Sequence, residues 1–112
     1  MKPSDALRAH RESICLATHR YHTTNPRVFG SVLRGDDRDG SDLDLLVDAL
    51  PGVTLFDLGG LQMELEELLG VPIDLLTPGD IPSKMRARVL EEALPLHKPL
   101  PDLVARLEKI GF

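Results

Sequence analysis

The sequence predicts a small α/β (α+β) domain in which one mixed β-sheet is covered by helices. Three observations carry that prediction. Short apolar runs at 27–31, 43–49 and 71–78 alternate with longer amphipathic stretches, which is the pattern of strands interleaved with helices. The run 43–49 is apolar at both parities after Asp44, as a central strand buried on both faces requires. Of the 112 residues 42% are hydrophobic, enough to build a core and suited to one domain over 1–112. With four aromatic residues (one Tyr, three Phe) and no Trp, that core must consist mostly of Leu, Val, Ile and Ala.

The elements follow in order. Residues 4–22 read as a helix, with Ser4 or Asp5 as its cap and Leu7, Ile14, Ala17 and Tyr21 near one face. "TTNP" at 23–26 should break it, because a residue before proline disfavours the helical region. "RVFGS" at 27–31 is a first strand and "LDLLVDA" at 43–49 a second. "PG" at 51–52 is a turn. The spacing predicts a helix over 54–69 with Leu55, Leu58, Leu61, Leu65 and Leu68 inward, closed by Gly70. The Gly59-Gly60 pair weakens its first half by about 1 kcal/mol per glycine relative to Ala. "VPIDLLTP" at 71–78 is a third strand. Residues 80–94 form a helix with Pro82 in its first turn, 95–101 a linker, and 102–112 a short amphipathic helix.

Charge and cysteine content narrow the function. The net charge of −5 argues against general nucleic-acid binding, which needs a basic face. A single cysteine, Cys15, permits no intrachain disulfide and suits a reduced, cytoplasmic setting. Charges at Lys2, Asp5, Arg8, Arg11 and Glu12 exclude an apolar signal-peptide core, and acidic residues interrupt the most apolar region, so no membrane span is expected.

The chemistry concentrates in "GSVLRGDDRDGSDLDLLVD" at 30–48. Asp42 and Asp44 are two apart at a strand's start, so both carboxylates point to one face, about 7 Å apart by strand rise. Two such charges ~4 Å apart repel by about 4 kcal/mol at an effective dielectric near 20. A divalent cation relieves that cost. Oxygen-only ligands point to Mg²⁺ or Mn²⁺ over Zn²⁺. A calcium hand fails on register: with Gly40 as its glycine, the first ligand falls on Gly35 and the closing Glu on Leu46. Gly30 lets backbone approach a ligand closely, and Ser31 offers a hydroxyl and a backbone N–H for phosphate. Arg34 can reach a phosphate from the same turn, and Ser41 joins these as a candidate nucleotide contact. Asp74 stands in an otherwise apolar strand, which is costly unless it is paired. If that strand lies beside 43–49, Asp74 joins Asp42 and Asp44.

Other groups take plainer readings. Asp48 is a strand-end residue, and Asp36, Asp37 and Asp39 form a solvated acidic loop. His10, His19 and His22 lack a cysteine or acid at ligand spacing. "KMRAR" at 84–88 is a solvated helix face that can also meet a triphosphate or an acidic partner.

Gly-Ser, ten intervening residues, Asp-x-Asp and a later strand Asp resemble the signature of the DNA polymerase β-like nucleotidyltransferases. Gly30, Ser31, Asp42, Asp44 and Asp74 match it one for one, and "FGSVLRG", "SDLDLLV" and "VPIDLLT" look closest to the minimal nucleotidyltransferases of prokaryotes. The likeness covers about 27–92. It implies the polymerase β-like nucleotidyltransferase fold and an antitoxin paired with a HEPN-domain ribonuclease toxin. It further implies transfer of AMP from ATP to a tyrosine of that partner. Asp42, Asp44 and Asp74 would hold two Mg²⁺ ions, with Asp74 as base, while Gly30 and Ser31 hold phosphates. The chain leaves no room for a second, acceptor-gripping domain, which suits a protein acceptor. The partner is expected to dock on the C-terminal helix 102–112 and on the 84–88 face. Two alternatives stand beside this: a non-catalytic antitoxin acting by occlusion, and a small-molecule nucleotidyltransferase of the aminoglycoside type.

Overall fold

The computed structural model describes residues 1–96. The elements run α1 (Pro3–His19), β1 (Thr23–Phe29), α2 (Gly30–Arg34), β2 (Leu43–Ala49), α3 (Leu55–Leu69) and β3 (Ile73–Leu76). A single 3₁₀ turn at Pro78–Asp80, then α4 (Ser83–Glu92) and the two-residue β4 (Leu94–Pro95), complete them. The sheet order is β3-β2-β1-β4, with β1 antiparallel to both β2 and β4, and β3 parallel to β2. This is the expected mixed sheet. Its parallel pair needs a crossover, and α3 is that crossover.

Among the described residues the two faces of the sheet are covered unequally. Leu43 and Leu45 of β2 face the main core with Leu7 and Ile14 of α1, Leu61 and Leu65 of α3, and Val28. The alternate positions of the strands point the other way. There, among the described residues, Leu46 clusters with Ile81, Ala93 and the partly buried Phe29, Leu76 and Val89. Arg27, Phe29, Asp44, Asp48, Asp74 and Leu76 all fall on this thinly covered face by strand parity. Each large side chain fully buried contributes about 1.5–3 kcal/mol, so the thick side stabilises the fold and the thin side is left for chemistry.

Local signals account for α3. Thr54 caps it: its hydroxyl accepts from the Asp57 N–H at 3.1 Å while the Asp57 carboxylate accepts from the Thr54 N–H at 2.9 Å. Gly70 ends it with φ +71°. A Cβ on Gly60 would lie 2.7 Å from the Tyr21 ring, so this glycine lets α3 close on the segment after α1.

Several expectations are corrected. Strand β1 begins at Thr23, and "TTNP" lies inside it. A register irregularity between Thr24 and Arg27, with Asn25 at φ +55°, absorbs Pro26 as a bulge. Neither Ser4 nor Asp5 caps α1. Pro3 is its first residue, and the Ser4 N–H donates to Asp37 Oδ2 at 2.9 Å. Asp37 is therefore not a solvated loop residue; it is 8% exposed and caps a helix 33 positions away. On α3, Leu68 sits at the surface and Leu69 is buried in its place, while Leu55 and Phe56 are 86% and 91% exposed. The 80–94 helix is shorter, with Pro82 at its cap position, and the start of the expected linker is β4. Proline is tolerated there because β4 is an edge strand. The expected helix at 102–112 lies outside the described residues.

Candidate active site

Asp44 stands at the centre of the thin face. The parallel register sets it directly beside Asp74, and the antiparallel register sets it beside Phe29, the residue before Gly30. Burial pushes its carboxyl up to about 6, reinforced by the Asp74 charge, a hydrogen bond to Asp74 that favours the protonated form, and the Asp42 charge. The Ser31 backbone N–H donates to Asp44 and works in the opposite direction. Gly30 has φ +74°, and a Cβ there would lie 2.8 Å from Asp44 Cγ. Only glycine lets the β1–α2 corner close on this carboxylate. The sequence thus brings Gly30, Ser31, Asp42, Asp44 and Asp74 into one neighbourhood.

A cleft of about 470 Å³ opens beside this cluster, within the range of small-molecule sites. Gly30, Arg34 and Asp44 line it together with Lys84, Arg88 and Glu92 of α4. Phe29, Leu33, Met85 and Val89 supply its apolar surface. Arg34 is exposed and pairs with Asp36 at 3.6 Å. The sequence allowed 84–88 to meet a triphosphate, but it reads there as one uniform basic face, and which of its residues line the cleft is decided by packing. Arg86 departs from that face, because its guanidinium donates to the Pro78 and Ile81 carbonyls at 2.8 and 3.0 Å. The one available signal is the four-residue spacing of Lys84 and Arg88.

Ser41, expected as a nucleotide contact, sits in the turn before β2, where its N–H donates to the Arg38 carbonyl at 3.0 Å. Its hydroxyl accepts from the Arg38 N–H at 2.9 Å and closes the 38–41 turn, and it does not line the cleft. Asp48 is indeed a structural strand-end residue, held by Arg27 through two hydrogen bonds of 2.9 and 3.2 Å and by Asn25 at 3.0 Å. His10 marks a kink in α1, and His22 pairs with Asp57 at 3.3 Å.

The donor set suits a hard cation, since Asp42, Asp44 and Asp74 offer only oxygen. Among the described residues no three such side chains are already drawn to metal-holding distance. The crowding that raises Asp44's proton affinity is what a cation there would relieve.

The model of the nucleotidyltransferase domain family matches residues 18–97, and the chain belongs to that family. A relative from Thermococcus cleftensis, named protein adenylyltransferase MntA, is 33% identical over 88 residues, 79% of this chain and 86% of the relative. A solved structure described provisionally as a minimal nucleotidyltransferase is 43% identical with a TM-score of 0.74, covering 82% of this chain and 94% of the other. A toxin–antitoxin structure with AMP-PNP shares the fold, with a TM-score of 0.66 at 19% identity, over 89% of this chain and 82% of the other. The fold is that of the polymerase β-like nucleotidyltransferases: helices on a four-stranded mixed sheet. No described helix is long and apolar enough to cross a membrane.

Proposed function

We propose that this chain is a single-domain antitoxin that transfers AMP from ATP to a tyrosine hydroxyl of a HEPN-type ribonuclease toxin in the cytoplasm. The observation that carries the proposal is the pairing of Asp44 with Asp74 across parallel strands, with Gly30 closing on Asp44. The naming of the Thermococcus relative as a protein adenylyltransferase supports it, as does a fold neighbour solved as a toxin–antitoxin with AMP-PNP.

In the reaction the acceptor oxygen attacks the α-phosphorus of ATP. The bond from that phosphorus to the α,β-bridging oxygen breaks, and pyrophosphate leaves with the electron pair. The acceptor proton passes to Asp74, which is exposed to solvent. Asp42 and Asp44, with Asp74, would hold Mg²⁺, which when bound neutralises the triphosphate and lowers the acceptor's pKa. Gly30 keeps the corner open, and Arg34 stands ready to trade its exposed Asp36 for phosphate.

The test uses a HEPN-domain toxin from the same organism, Mg²⁺ and ATP, followed by intact mass. The partner should gain the mass of one or more AMP groups, on tyrosine. A partner silenced with its mass unchanged would establish occlusion instead.

A further inference from the structure

We infer that α4 is the second wall of the nucleotide site, and that Lys84 and Arg88 clamp the β- and γ-phosphates, the part of ATP that leaves as pyrophosphate. The inference rests on the reading that the cleft receives a nucleoside triphosphate. Lys84 and Arg88 are four residues apart, so both project from one face of α4. That face lines the same cleft as Gly30 and Asp44. With Arg34 from α2, three cations from two elements line the cleft beside the acids Asp44 and Glu92, in a chain whose net charge is −5.

Folding does not explain this cluster. Lys84 forms no ion pair with any described residue. Arg88 pairs with Glu92 at 3.1 Å, but their side chains are 81% and 55% exposed, and such helix-surface pairs are among the weakest. Its guanidinium can turn to a phosphate with little loss. Arg86 shows the contrast, since its two bonds to carbonyls tie α4 to the 3₁₀ turn. Arg86 is a positioning residue; Lys84 and Arg88 are the contacts it positions. Charge builds on the pyrophosphate as it leaves, and cations set at that end act more on the polyphosphate than on the nucleoside.

The experiment is calorimetric titration of the full chain with ATP, pyrophosphate and AMP, each with Mg²⁺. The proteins compared are wild type, Lys84→Gln/Arg88→Gln and the charge-keeping Lys84→Arg/Arg88→Lys. The neutral double variant should lose about tenfold or more in affinity for ATP and pyrophosphate, the loss expected for charged hydrogen bonds. AMP affinity should move far less, and the charge-keeping variant should retain most of its ATP affinity. Equal weakening toward ATP and AMP, or unchanged ATP affinity, overturns the clamp. So does a neutral variant that keeps ATP but no longer binds the toxin, because the face would then be a docking surface. If wild type binds no ATP with Mg²⁺, the nucleotide reading of the cleft falls as well, which separates the two failures.

Discussion

Asp44 and Asp48 are one residue type, on one strand, facing the same way, about 13 Å apart by strand rise. Their surroundings drive them in opposite directions. At Asp48 the Arg27 guanidinium, with Asn25, holds the carboxyl below its ordinary range. At Asp44 burial and the neighbouring Asp74 and Asp42 hold it above that range. Arg27 is itself 8% exposed, so Asp48 answers the desolvation of a buried guanidinium. Among the described residues no cation pairs with Asp44 as Arg27 pairs with Asp48. A sheet can carry a partly buried carboxylate either by pairing it with its own cation or by leaving it for a ligand. The first use is structural, and the second marks a site.

Substitutions at the two ends of β2 should therefore separate activity from stability. The largest effect is expected at the unpaired end. Asp44→Asn should slow AMP transfer to the partner by about a thousandfold, roughly 4 kcal/mol in the barrier, read from single-turnover mass spectrometry. Gly30→Ala follows, since its Cβ would lie 2.8 Å from Asp44 Cγ and push the carboxylate aside. A misplacement of that size should cost about a hundredfold in rate. Normal transfer by the alanine variant would mean that the close approach is incidental.

At the paired end, Asp48→Asn should leave the rate intact once folded but lower stability by about 1–3 kcal/mol in urea unfolding, because Arg27 loses its charged partner. The pH dependence has a definite sign. A carboxyl with a lowered folded-state pKa contributes stability that is present above its unfolded pKa and lost as pH falls through the folded one. Wild type should lose stability below about pH 4, and Asp48→Asn should lose less there; parallel acid profiles would deny the pair its role. The smallest effect brings the comparison back to Asp44. Without metal or nucleotide, Asp44→Asn should melt at the same temperature as wild type or slightly higher at neutral pH, because one repelling charge is gone. A markedly lower melting temperature would make Asp44 a second Asp48.

What could be read from the sequence was whatever is encoded among near neighbours. The buried run of β2, the Thr54 and Gly70 ends of α3, and the Gly-Ser and Asp-x-Asp spacing each lie within a few residues, where strand parity and helix capping operate. Those determined the mixed sheet and the carboxylates of the candidate site. What tertiary structure alone decided depends on residues far apart in the chain. Asp37 caps α1 across 33 positions, Arg27 reaches Asp48 across 21, and β4 closes the sheet edge from the far end of the described chain. The split of the basic stretch on α4, with Arg86 as anchor and Lys84 and Arg88 as cleft wall, belongs to the same class. Sequence spacing places side chains on a face, but which face meets a carbonyl, a carboxylate or an open cleft depends on how the elements pack, and local pattern carries no record of that.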